Sequence, residues 1–242
     1  MMPNPSSPQS PEPSTEIARI MRQDIVHRDA QLIQIVNASL SDATRRAGDY
    51  LACRPGCTQC CHGAFAINPL DALRLRNSMV ELNSADPEKA ATIAERAQQY
   101  LIEFGASFPG DRETGILGTT SEEESAFEDF ASDAPCPALN PDSGLCDLYD
   151  ARPMTCRVFG PPVRMSAPTA PEPEIDSGSD EESAFAVCEL CFIDATPDEI
   201  AAAEMSVPHA EEQELLNRMQ EEMPSSAGET IVAYCLVPTR NF

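Results

Sequence analysis

Ten cysteines are spread along this 242-residue chain, and the spacing of most of them is that of metal ligands rather than of core residues. The first block reads Cys53-Arg-Pro-Gly-Cys57-Thr-Gln-Cys60-Cys61-His62, four thiols and an imidazole within ten residues. Cysteines that serve as small apolar residues follow helix or strand periodicity, and these do not. Pro55 and Gly56 allow the tight turn that lets sulfurs converge. The second block starts at Cys136 and continues through Cys146 to Cys156-Arg157. Within it, Asn140 to Gly144 is a turn that closes a small hairpin between Cys136 and Cys146, and Arg152-Pro153 opens a tight turn or short helix that presents Cys156. Cys188-Glu-Leu-Cys191 is a third, isolated pair. Thiolates at this density select zinc or an iron–sulfur cluster over magnesium or calcium.

The candidate metal ligands are therefore Cys57, Cys60, Cys61, Cys136, Cys146 and Cys156, with Cys53, Cys188 and Cys191 as additions. Such a set exceeds the four thiolates that one zinc ion or one cubane takes, so either two sites exist or some thiols do not ligate. Cys235 lies in the apolar run Ile231 to Val237 and reads as a buried core thiol. His62, beside the thiols, suits a ligand, a proton carrier or, best of the three, a hydrogen-bond donor to a ligand. Arg157 either donates to a thiolate and offsets the charge of a cluster, or pairs with a loop carboxylate.

The segments that must position these thiols are mostly helical in pattern. From Glu16 to Leu51 the residues Ile17, Met21, Ile25, Leu32, Val36, Leu40, Ala43 and Ala47 recur at threes and fours, as one amphipathic helix or two with a break near Asn37–Ser41. Gly63 to Ile67 is a short strand or turn. Asn68-Pro69-Leu70-Asp71 starts a helix that runs to Leu82, and Asp86-Pro87-Glu88 starts another, with Ala90, Ile93, Ala94, Ala97, Leu101 and Phe104 on one face. Thr196-Pro197-Asp198-Glu199 begins a further helix; Leu215, Leu216, Met219 and Met223 give the next its apolar face, and Ile231 to Val237 is a short terminal strand. Residues 105–134 read as an acidic surface loop, 161–183 as an acidic, proline-rich disordered insertion, and 1–13 as a disordered leader. The expected domain then covers 14–242.

Composition narrows the class further. Sixteen basic against forty acidic residues give a net charge of −24, which repels a phosphate backbone and argues against nucleic acid as a partner. No basic start precedes an apolar run at the amino terminus, and no apolar stretch is long enough to span a bilayer. The expectation is a cytoplasmic protein with no membrane contact, where reduced thiols bind metal rather than pair as disulfides. A basic protein partner would suit the charge, but nothing localises one.

The string Gly56-Cys57-x-x-Cys60-Cys61-His62, then Cys136-Pro-x-Leu, then Gly144-x-Cys146-x-x-Tyr149-x-x-Arg152-Pro153-x-x-Cys156-Arg157 resembles the CxxCxxCC cysteine-cluster proteins, also called the YkgJ-like family. The resemblance covers roughly residues 50–192 and departs from the family in setting Cys53 four positions before Cys57 instead of three. It implies zinc or iron chelation, and its relatives among flagellin lysine N-methylases imply a 4Fe–4S cluster. A radical S-adenosylmethionine enzyme would share the spacing Cys53-x3-Cys57-x2-Cys60, but Gln59 stands where those enzymes place an aromatic residue. A thioredoxin-like pair at Cys57 and Cys60 would need a preceding strand, and a helix precedes it here.

The expected architecture is mainly α: a small, irregular, α-rich domain with cysteine-bearing loops and a short β-hairpin around a metal centre. The expected function is metal binding at a zinc or 4Fe–4S centre. The alternative is an iron–sulfur enzyme that modifies a protein or small molecule, methylase-like or S-adenosylmethionine-dependent.

Overall fold

The computed structural model describes residues 15–164, 185–224 and 228–238. The expected leader, and most of the expected insertion at 161–183, lie outside the described residues. Helix α1 (Thr15–Ala47) is continuous, without the break anticipated near Asn37–Ser41. Polar residues there face outward, and they interrupt the apolar stripe without interrupting the backbone hydrogen bonds of a helix. Ile25, Leu32, Val36, Ala43 and Ala47 are buried as their spacing predicts.

Helices α2 (Pro69–Ala85) and α3 (Pro87–Phe104) start where their signals stand. The Asn68 side chain accepts from the Asp71 N–H at 3.0 Å, and the Asp86 side chain from the Lys89 N–H at 3.0 Å. Both carry proline in the first turn, where no N–H is needed. Helix α2 runs to Ala85, past Leu82, until Asp86 ends it and caps its successor.

The segment expected as a surface loop, 105–134, is built. It holds an antiparallel pair, β1 (Gly110–Asp111) with β2 (Ile116–Leu117), and helix α4 (Ser121–Asp129). Thr120 and Glu123 close a reciprocal capping box at the start of α4, a signal present in Thr-Ser-Glu-Glu but obscured by the surrounding acids. Phe108 and Phe130 are buried against each other edge to face, with ring centroids 5.7 Å apart.

Helix α5 (Met154–Val158) carries Cys156. A second antiparallel pair, β3 (Val163–Arg164) with β4 (Phe185–Ala186), precedes Cys188. Helices α6 (Pro197–Ala202) and α7 (His209–Glu222) follow. The terminal strand expected over Ile231–Val237 is instead helix α8 (Val232–Leu236). Only Thr230 pairs in β fashion, with Ile67, and Cys235 and Leu236 are then buried against α2 and α3. A short, continuous apolar run has no period that separates a strand from a fully buried helical turn.

Two apolar clusters lie back to back across α2. Leu70 and Leu73 face α1 and α7, while Ala72 and Leu75 face α3, α8 and the turn around Leu148 and Ala151. The architecture is mainly α, as expected, with short β pairs. No described helix is long and apolar enough to cross a membrane.

Candidate metal centre

All ten cysteines lie among the described residues, and each is a free thiol. The nine candidate ligands divide into two groups. The inner group is Cys60, Cys61, Cys136, Cys146 and Cys156, whose sulfurs interact with one another. The outer group is Cys53, Cys57, Cys188 and Cys191, which likewise interact among themselves. Cys235 belongs to neither and is a core thiol beside Val232 and Leu236, where burial pushes it up to about 12.

The inner group is assembled by backbone pairing. A short 3-10 turn, Gln59–Cys61, places Cys60 and Cys61. Its carbonyl at Cys61 accepts from the Cys136 N–H at 2.7 Å, and the Gly63 N–H donates to Ala134 at 2.9 Å, with His62 and Pro135 bridged between them. The two cysteine blocks are thus paired edge to edge. Gly63 permits this with φ +83°, where a Cβ would stand 2.8 Å from the Ser132 carbonyl oxygen. The expected hairpin between Cys136 and Cys146 is present as a single bridge of Leu139 with Cys146, closed by Asn140 and Gly144. Backbone N–H groups are aimed at the sulfurs, from Ala138 and Leu139 to Cys136 and from Leu148 to Cys146. Such donors stabilise thiolate over thiol and orient it towards a metal.

Charge around the inner group is uneven. Burial pushes Cys136 up to about 11 and raises Cys146 and Cys156. Cys60 is drawn below the ordinary thiol range by the hydrogen bond its sulfur accepts from Cys61, which is correspondingly raised. The cation that acts on these sulfurs is Arg152, which reaches Cys60 and Cys146 electrostatically. Its guanidinium carbon lies 3.8 Å from the centre of the Tyr149 ring, and its Nη1 donates to the Tyr149 carbonyl at 2.9 Å.

Arg157 meets neither expectation. It is 1% exposed and spends its donors on the carbonyls of Arg152 (3.1 Å) and Asp150 and on Asn37 Oδ1 of α1 (2.8 Å). Burial lowers it to about 10, and it staples the turn ahead of Cys156 to α1. Below it, Asp71 accepts from the Met154 N–H at 2.9 Å and from Arg74 at 2.7 Å, while Arg74 also grips Asp29 through two bonds at 2.6 and 2.9 Å. The start of α5, and so Cys156, is thereby tied to α1 and α2 through buried ions. Sequence reading missed Arg152, Asp71 and Arg74. The Arg-Pro dipeptide was a usable signal for Arg152, but Asp71 looked like an ordinary first-turn carboxylate.

His62 is exposed, and its Nδ1 lies 3.0 Å from the Thr58 carbonyl, which fixes the ring against its own turn. Among the described residues, no three His, Cys, Asp or Glu side chains are already closed into a metal-holding arrangement. The thiols are gathered rather than closed, and each cysteine redirects its sulfur by rotation about one χ1 bond. The donors are thiols alone, a soft set that fits zinc and iron equally.

Residues 52–169 match the model of the CxxCxxCC family, described as a "putative zinc- or iron-chelating domain". Over that stretch, just under half of the chain, the sequence is similar to this family. No curated protein and no solved structure matches the chain. The matched stretch contains the whole inner group together with Cys53 and Cys57, and it ends before Cys188 and Cys191. The zinc or iron chelation described for that family is in keeping with the donor set.

Proposed function

We propose that this protein binds an iron–sulfur cluster of the 4Fe–4S type at the inner group, with its ligands drawn from Cys60, Cys61, Cys136, Cys146 and Cys156, and that it works in the reducing cytoplasm. The observation that supports this is the meeting of five thiols, from three separate segments, beside one guanidinium. Four thiolates around a cubane leave a net negative charge, and Arg152 stands where that charge is offset. Structural zinc sites are typically built from paired C-x2–4-C turns, and within the inner group no two cysteines have that spacing. Its members are one adjacent pair and three well-separated residues, which suits a body larger than a single ion.

The test is anaerobic purification followed by metal and acid-labile sulfide analysis with a visible spectrum. About four iron and four sulfide per chain, with a brown colour bleached by reductant, is the expected result. Zinc without sulfide at the inner group would replace the cluster with a closed zinc centre. A Cys60→Ser or Cys146→Ser protein that kept full metal and normal stability would remove the inner group from consideration.

A further inference from the structure

We propose that Cys53, Cys57, Cys188 and Cys191 form a second metal site, a mononuclear tetrathiolate zinc site separate from the inner group. The two turns that carry them are adjacent: Cys188 and Cys191 pack in one cluster with Leu51 and Ala52, which precede Cys53, and the Gln59 Nε2 donates to Glu189 Oε1 at 2.7 Å. The thiols of Cys53, Cys57 and Cys191 act on that of Cys188 or on one another electrostatically. Neither Cys53 nor Cys188 has an inner-group sulfur among the groups acting on it. Four is the number of thiolates that closes a tetrahedral zinc, and the spacing C-x3-C followed by C-x2-C is that of paired zinc-binding turns.

Each pair sits on a backbone turn of the required kind. The Cys57 N–H donates to the Arg54 carbonyl at 2.9 Å, and the Cys191 N–H to the Cys188 carbonyl at 2.8 Å. The Leu190 N–H is directed at the Cys188 sulfur, the same donor arrangement seen at Cys136 and Cys146. Packing alone does not call for an amide aimed at a sulfur. The two turns are locked together by the Phe192 N–H, which donates to the Tyr50 carbonyl at 2.8 Å, and by the stacking of the Tyr50 and Phe192 rings at 5.7 Å. Gly160 completes the site. It has φ +129°, and a Cβ there would lie 2.7 Å from the Cys53 sulfur, so space is kept open for that atom.

Cys188 and Cys191 are 4% and 5% exposed, so the ion would be shielded on one side by Ala47, Phe192 and Ala203 and more open on the side of Cys53 and Cys57. A closed site of this kind is structural and clips the stretch after α1 to the stretch before α6. Half of its ligands lie beyond the stretch similar to the CxxCxxCC family. The site deepens the metal-binding reading but does not depend on what the inner group holds.

The experiment is metal analysis of the full chain, purified anaerobically as wild type, Cys191→Ser, Cys53→Ser and Cys136→Ser. Cys53→Ser alters an exposed thiol and leaves the packed residues in place, so it serves if Cys191→Ser does not fold. The expected result is one zinc equivalent fewer in the Cys53 and Cys191 variants, with inner-group metal unchanged, and the reverse in Cys136→Ser. Cobalt substitution of the wild type should add one equivalent of tetrahedral thiolate spectrum that Cys53→Ser lacks. Unchanged zinc in both outer variants would overturn the proposal, as would parallel loss of all metal from outer and inner variants alike. A wild type whose only metal disappears in Cys53→Ser and persists in Cys136→Ser would support this site while removing the inner one.

Discussion

Cys57 and Cys60 are separated by two residues, yet one faces the outer group and the other the inner group. The surroundings of the two groups differ in kind. The inner group rests on buried ions: Arg157 bonded to three acceptors, and Asp71, Arg74 and Asp29 joining α1, α2 and the start of α5. The outer group rests on backbone turns, one aromatic stack and a glycine, with no buried ion pair among its described contacts. The inner thiols are held by the fold, whereas the proposed outer site would join two pieces of it. Substitutions in the two supports should therefore separate cleanly.

The largest effect is expected from Arg74→Ala. It leaves the Asp71 and Asp29 carboxylates buried without their cation, a loss of about 3–5 kcal/mol. Urea denaturation should show this drop, and metal analysis should show the inner group emptied before the outer one. Arg157→Lys comes next. A lysine cannot fork to the Arg152 and Asp150 carbonyls and to Asn37 together, so about 2–3 kcal/mol should go. The release rate of inner-group metal to a chelator is the second readout.

Gly160→Ala acts on the other side of the comparison. The strain of a positive φ plus the contact with Cys53 should amount to about 1–3 kcal/mol. It should weaken outer-group zinc and leave the inner spectrum unchanged; an altered inner spectrum would break the separation.

The smallest effect is a pH dependence at Glu199, an exposed residue that caps α6 and accepts from the Tyr50 hydroxyl at 2.7 Å. The Thr196 N–H, together with the Tyr50 and Thr196 hydroxyls, holds its carboxyl at about 2, below the unfolded value near 4.5. The stabilisation is therefore present above the unfolded value and is lost as pH falls through the folded one. The melting-temperature gap between wild type and Glu199→Gln should hold steady from neutral pH to about 5 and shrink as pH falls from about 4.5 towards about 2.

What was legible in the sequence was what is local. Asn68, Asp86 and Thr196 each announced a helix start because a cap is a bond between a side chain and an amide three residues on. The thiol blocks were visible for the same reason. The division of the thiols was not visible, because Cys57-x-x-Cys60 reads as one unit until the turn between them sends the two sulfurs to different neighbours. The exchange of roles between Arg152 and Arg157 was equally hidden: both are arginines in one string, and only burial against α1 decides which of them meets sulfur. Helix α8 and the buried phenylalanines at 108 and 130 depend on partners far along the chain.

The pairing of β3 with β4 has one more consequence. Val163 lies opposite Ala186 and Arg164 opposite Phe185, so the chain departs and returns through neighbouring positions of one ribbon. The distance from Cys156 to Cys188 is set by that ribbon, whatever the length of chain between its ends. Closing a longer connection there is inexpensive, about 0.6 kcal/mol for each doubling. The ribbon is thus a natural port, at which a fluorophore domain or affinity tag can be spliced into the protein without moving a single sulfur.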